Sequence, residues 1–288
     1  ARSCRMRGAG AEPARRGRAR TGVALAARSA ASRAWRFVGT AIFFPGFYLV
    51  ALLAGTVLAP LARLRLRDRE RTAIWLRLRF CDFYRLFFRT VERVGILRYR
   101  VEGAAALRRP GQLVVANHPT AIDAVAVMAC TDSAITVTKK EDWWNPTLRA
   151  ALNAAHMIKN AGGREVIAAS VAALRGGETL VLFPEGTRSP TGGKHPFRRG
   201  FAHVALEAGR DVLPVVITCD PPVFGKRQRW YRIPERPFEL RLRVLDPVPI
   251  ADYVRDDLPQ PLAARLLTRA IDELFAKEIA RGPRSDAT

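Results

Sequence analysis

At 288 residues the chain is long enough for one sizeable globular domain plus an appendage, and 49% hydrophobic residues supply a real core. Its 48 Lys and Arg against 26 Asp and Glu leave a net charge of +22, which points to an anionic partner: nucleic acid, an anionic membrane surface or a phosphorylated substrate. The cysteines, Cys4, Cys81, Cys130 and Cys219, form no C-x-x-C pair and no cluster with histidine at zinc spacing, which excludes a zinc module and fits a reduced compartment.

Residues 1–36 hold ten arginines and a single acid, Glu12, with little to bury, so a basic disordered tail is expected there. From Phe37 to Ala62 no residue is charged. As helix this stretch is about 39 Å long, more than the roughly 30 Å of a bilayer's hydrocarbon core. Pro45 and Pro60 interrupt it, so it spans or re-enters. A buried soluble helix is the alternative. Residues 68–98 interleave Trp75, Leu76, Phe80, Phe83, Tyr84, Phe87 and Phe88 with Arg69, Arg71, Arg77, Arg79, Arg85, Arg89 and Arg93. That composition suits a helix lying in a membrane interface; an amphipathic helix docked on the core is the other reading. Residues 37–98 are therefore expected to form membrane-associating helices.

From residue 99 to 288 short apolar runs at 112–116, 133–138, 179–183 and 212–217 alternate with helical patterns, the signature of an α/β domain. Phe238 to Val244 alternates arginine with apolar residues and reads as an edge or half-exposed strand. Residues 262–280 read as a closing amphipathic helix with Leu266, Leu267, Ala270, Ile271, Leu274 and Ile279 inward.

Two stretches carry chemistry. Asn117-His118-Pro119-Thr120-Ala121-Ile122-Asp123 follows the apolar run Leu113 to Ala116, with His118 expected in a strand-to-helix turn and Asp123 in the early helix. Pro119 suits a first helical turn, where a missing N–H costs nothing. A histidine held by a carboxylate is a general base with its tautomer fixed. Alone, the spacing also describes two unrelated polar residues near a helix start. The second stretch, Phe183-Pro184-Glu185-Gly186-Thr187-Arg188-Ser189, ends a strand at a proline and offers Arg188 as a planar fork for a phosphate. Glu185 can bind a hydroxyl or hold Arg188, and Gly186 lets the backbone turn or approach a ligand. Pro214, in Val212 to Ile217, is expected at a strand end. No G-x-S-x-G nucleophile elbow and no G-x-x-x-x-G-K-[ST] loop is present.

Taken together and in order, these two blocks, Phe197-Arg198-Arg199-Gly200 and Leu213-Pro214-Val215 resemble the glycerolipid acyltransferases, the 1-acylglycerol-3-phosphate (lysophosphatidic acid) acyltransferase group in particular. The resemblance covers residues 99–220. It implies an α/β fold, a twisted mostly parallel or mixed sheet wrapped by helices and preceded by a membrane-associating helical segment. It implies a membrane-associated O-acyltransferase of phospholipid synthesis at the cytoplasmic face of a bacterial inner membrane. The donor would be acyl-carrier-protein or acyl-CoA, with no other cofactor and no metal; the partners would be anionic membrane lipids and a lysophospholipid, with no specific nucleic acid. His118 would be the base and Asp123 its orienting acid. Arg188, Glu185, Gly186, Thr187 and Lys159 would bind the substrate phosphate, and Asn117 and Pro214 would line the substrate pocket. Met157-Ile158-Lys159-Asn160 departs from the Ile-Asp-Arg-like segment usual in the lysophosphatidate enzymes, and Arg164 is a further candidate cation. Trp230-Tyr231-Arg232-Ile233-Pro234 is similar to a bacterial subgroup tied to aryl-polyene synthesis, so another lipid acceptor is an alternative. A basic membrane-anchored nucleic-acid-binding protein ranks below both.

Overall fold

A computed structural model describes residues 12–190, 195–226, 228, 231, 234–255 and 257–282. Residues 1–11 of the expected tail, and Trp230, Arg232 and Ile233, lie outside them. The chain opens with helix α1 (Glu12–Leu53), which runs through a π-helical turn (Ala54–Leu58) into α2 (Ala59–Leu66). The helix thus begins well inside the stretch expected to be a disordered tail. Burial alone misleads there, because Ala and Arg are strong helix formers even without a core to cover. Pro60 sits in the first turn of α2, where it needs no N–H, and the wider π turn before it makes room for its ring.

Ala31–Leu66 is long and apolar enough to cross a membrane, with a mean hydropathy of 2.1 and only 12% of its most apolar window buried. Ile42 and Leu64 are 63% and 74% exposed. The opposite side is docked. A Cβ on Gly55 would lie 2.3 Å from the backbone nitrogen of Ala151, so helix α5 (Pro146–Ala154) crosses α1's continuation at a point only glycine allows.

Helix α3 (Arg69–Arg93) returns alongside, started by Asp68, whose carboxylate accepts the Arg71 N–H. Its aromatic face is not a free interfacial surface. Leu76, Phe80, Tyr84, Phe88 and Val91 are buried, Phe43 meets Phe87 edge-on at 5.7 Å, and Phe88 stacks on Tyr99 at 4.3 Å. Two of its arginines also face inward. Arg77 is fully buried and binds Glu178, Ser133 and the Ala155 carbonyl; Arg85 binds Asp82, Asp132 and the Ala129 and Thr131 carbonyls. An interfacial helix and a docked one share a composition, and the neighbour decides between them.

Among the described residues the sheet has seven strands: β1 (Leu97–Glu102), β2 (Leu113–Ala116), β3 (Ile135–Thr138), β4 (Ile158–Lys159), β5 (Leu180–Leu182), β6 (Val212–Asp220) and β7 (Phe238–Val244), in the order β1-β7-β6-β2-β5-β3-β4. Strands β2 to β6 run one way, and β7 with its parallel neighbour β1 runs the other. The mixed sheet is as expected. β7 is not an edge, however: β1 covers it, and Arg241 on β7 is paired to Glu102 and Glu239. Pro214 lies inside β6, not at its end. Its carbonyl accepts the Leu245 N–H, so its ring nitrogen faces the β7 side, where registered pairing begins only at Val215. No ladder bond is lost.

Helices α4 (Asp123–Ala129), α6 (Gly163–Arg175), α7 (Gly200–Ala208) and α8 (Gln260–Ala280) complete the wrapping. On α8 the buried apolar residues are Ala263, Ala264, Leu267, Ile271 and Phe275, while Leu266 is exposed. The inward face is thus turned by one position from the expected one.

The Arg77–Glu178 pair fastens α3 to the sheet. Glu178→Ala should leave a fully buried guanidinium without its anion and lower stability by about 3 kcal/mol. Urea unfolding of the detergent-solubilised chain reads this directly, and an unchanged midpoint would show the pair to be energetically idle.

Candidate active site

β2 lies in the middle of the sheet and is buried along its whole length, and β5 runs parallel beside it with Val115 opposite Leu182. The chain leaves both strands at the same carboxyl edge, where parallel α/β sheets bind ligands. The two sequence blocks therefore emerge side by side. Asn117 extends the β2–β6 ladder with its side chain: its Nδ2 donates to the Ile217 carbonyl at 2.8 Å and its Oδ1 accepts the Ile217 N–H at 2.7 Å. It is 3% exposed, a strut between strands and not a pocket wall.

Pro119 lies in the extended connector, four residues ahead of α4, and Asp123 is the first residue of that helix. His118 Nδ1 is 2.8 Å from Asp123 Oδ2. The same Oδ2 accepts the Thr120 N–H at 2.6 Å, and the Thr120 hydroxyl donates to Oδ1. Asp123 is fully buried, and that burial raises its carboxyl pKa above the ordinary value, while the bonds from His118 and Thr120 act against the rise. A carboxylate supplied with donors in this way takes the imidazole N–H at Nδ1, which leaves the Nε2 lone pair free. The His118 side chain is 16% exposed, and its ring lies 4.6 Å from that of Phe183 at the end of β5.

The second block wraps the first. Glu185 is 2% exposed; its Oε1 accepts the His118 backbone N–H at 2.9 Å, and its Oε2 accepts the Ser189 hydroxyl and the His195 N–H. The Ser189 N–H donates back to the His118 carbonyl at 2.8 Å. Among the described residues the partners of Glu185 are neutral donors, and both oxygens are taken. It neither holds Arg188 nor faces a phosphate, which its own charge would repel; it positions the backbone of His118. Gly186 has φ +68° and closes a turn through its N–H to the Phe183 carbonyl. Thr187 and Arg188 are half-buried beside it, and Arg188 Nη1 donates to the carbonyls of Phe224 at 2.8 Å and Gly225 at 3.2 Å.

Lys159 is not brought to this turn. It ends β4 at the sheet edge, three strands from β2, about 14 Å at the usual strand spacing, with Nζ 5.9 Å above the Trp143 ring. Arg164 is exposed in the first turn of α6, after the same edge strand. Among the described residues no three His, Cys, Asp or Glu side chains converge as a metal ion would require. The sequence reading passed over Thr120 and Ser189. Thr120-x-x-Asp123 has the spacing of a capping box, a signal for the Thr120 N–H to Asp123 bond. Nothing local marks Ser189 as a partner of Glu185.

The acyltransferase family model matches residues 98–218. The chain is 29% identical over 197 residues to mouse 1-acyl-sn-glycerol-3-phosphate acyltransferase alpha, covering 59% of this chain and 66% of that one. It is 28% identical to the human protein of that name over 75% of each chain, and 30% identical to 1-acyl-sn-glycerol-3-phosphate acyltransferase of Limnanthes alba over 51% of this chain and 53% of that one. The matches span 53% to 66% of the length of the mouse and Limnanthes relatives. The crystal structure of the LPA acyltransferase PlsC from Thermotoga maritima superposes with a TM-score of 0.56 at 21% identity, over 86% of this chain and 97% of that one, a likeness of fold.

Asn117→Ala removes both partners of Ile217 and leaves a buried N–H and C=O unsatisfied, at a cost of about 3 kcal/mol. Thermal unfolding should show a lower midpoint, and an unaltered one would contradict the strut.

Proposed function

For a chain whose residues 98–218 match the acyltransferase family model, we propose a membrane-associated enzyme that moves an acyl group from a thioester onto the free hydroxyl of 1-acylglycerol-3-phosphate, giving phosphatidate. The observation that carries the reading is the His118–Asp123 contact at 2.8 Å, set beside an arginine-bearing turn that grips the histidine's backbone. The relatives' names supply the acceptor. The donor is acyl-carrier-protein or acyl-CoA, whose shared chemistry is the thioester.

A thioester is already activated, so the task is to make the acceptor hydroxyl a nucleophile. Nε2 of His118 takes the hydroxyl proton as the oxygen attacks the thioester carbonyl. Asp123 stabilises the imidazolium that forms. When the tetrahedral intermediate collapses, the C–S bond breaks and the imidazolium returns its proton to the departing thiolate. General-base assistance of this kind is worth about 10²–10⁴-fold. Arg188 holds the acceptor's phosphate and so fixes the hydroxyl at Nε2, which removes an entropic barrier. No acyl-enzyme is needed. Burial raises the thiols of Cys81 and Cys130, and pushes that of Cys219 up to about 12, so all three stay protonated at neutral pH.

The exposed apolar side of Ala31–Leu66 suits lipid, and we place it in the cytoplasmic leaflet of a bacterial inner membrane with the site opening towards it. Arg63, Arg65 and Arg67 are exposed where that helix ends, and each adds about 1 kcal/mol of attraction to anionic lipid.

Membranes carrying the protein, given labelled acyl thioester and lysophosphatidate, should form phosphatidate. His118→Ala should abolish this, Asp123→Asn should lower kcat about 10³-fold, and Thr120→Val about tenfold, all with the protein still in the membrane. Full activity in His118→Ala would refute the mechanism. Prolonged iodoacetamide treatment at neutral pH should leave the rate unchanged, and inactivation in step with alkylation would point instead to a thiol nucleophile.

A further inference from the structure

We infer that Arg198 is the second guanidinium of the acceptor-phosphate clamp, seated against the bare backbone of Gly186. The inference rests on the lysophosphatidate reading above and names a residue that recognises its phosphate. Arg188 alone is a partial clamp. One of its amino groups is spent on the Phe224 and Gly225 carbonyls, which fix the fork but leave fewer donors for a ligand. A phosphomonoester carries close to two negative charges at neutral pH. Lys159, on the edge strand, stands three strands away, and Arg164 follows the same strand.

Arg198 is at the turn itself. Its backbone N–H donates to the Pro184 carbonyl at 2.9 Å, tying the segment before α7 to the Pro184-Glu185-Gly186 turn. A Cβ built on Gly186 would stand 3.3 Å from both Cζ and Nε of Arg198, so the guanidinium rests against the bare glycine backbone. Arg198 is exposed, and among the described residues no carboxylate pairs with it. The nearest acid in the turn, Glu185, is buried and saturated by His118, Ser189 and His195. Two arginines thus border one turn, and among the described residues neither is paired with a carboxylate. That is the arrangement a bidentate phosphate site requires. The left-handed φ of Gly186 favours glycine, and the absence of a Cβ there also leaves the Arg198 guanidinium its seat.

The test uses the full chain in detergent. Arg198→Ala, and Arg198→Met to keep the packed stem, should raise KM for lysophosphatidate about ten- to a hundredfold with a smaller effect on kcat. Arg198→Lys should recover part of the loss, since it restores a point charge without the fork. Arg199→Ala removes the same charge one residue away and should leave KM unchanged. As a readout independent of turnover, sn-glycerol 3-phosphate should raise the melting temperature of wild type, His118→Ala and Arg199→Ala but not of Arg198→Met. Wild-type KM and wild-type phosphate stabilisation in Arg198→Met would overturn the clamp even where His118→Ala abolishes transfer. Phosphate stabilisation that depends on Arg198 in a chain that makes no phosphatidate would leave the clamp standing and refute the acceptor reading.

Discussion

The Glu185 carboxylate, buried beneath the turn that follows β5, takes the backbone N–H of His118, the hydroxyl of Ser189 and the N–H of His195. Removing a carboxylate from water costs several kcal/mol, and charge-assisted hydrogen bonds offset this only when the donors are all in place. His118, 67 residues before Glu185, must therefore meet Ser189 and His195, four and ten residues after it, around one side chain. The Ser189 N–H returning to the His118 carbonyl closes the arrangement. What results is a histidine whose backbone is held from one side by Glu185 and whose ring is held from the other by Asp123. Neither acid touches the reacting hydroxyl in the proposed chemistry; both fix where Nε2 stands.

The same economy runs through the surrounding layers. Asn117 continues the ladder to β6 at the point where β2 must turn away, so the histidine leaves the sheet from a braced position. The missing N–H of Pro214 faces the side on which β6 has not yet begun to pair with β7. On the N-terminal side, one face of α1 and α2 meets α5 at Gly55 while the other stays apolar and exposed. The long helix is thus joined to the α/β domain without being absorbed into its core, which suits the lipid acceptor and product proposed above.

Much of this was legible in the chain. The buried strands 112–116, 179–183 and 212–217 announce themselves as apolar runs, and β2, β5 and β6 lie within or upon them. His118 and Asp123 meet because a strand-to-helix turn is short enough to make their contact a local event. Other features carry no local mark. β1 and β4 are short edge strands whose Arg and Lys residues hide the pattern. Arg77 and Arg85 look like members of a solvated basic stripe until Glu178, Asp132 and four backbone carbonyls or hydroxyls close around them.

By itself the sequence determined the α/β pattern, the apolar helix and the residue types of the site, because those depend on periodicity, on length and on spacings of a few residues. Only the tertiary structure decided roles. Glu185 and Arg188 are three residues apart, and a local reading pairs them as acid and base. The fold instead sends the carboxylate inward to the His118 backbone and turns the guanidinium to the Phe224 and Gly225 carbonyls. Which partner a charged side chain finds is set by the elements packed around it, and here they arrive from as far as 67 residues away in the chain.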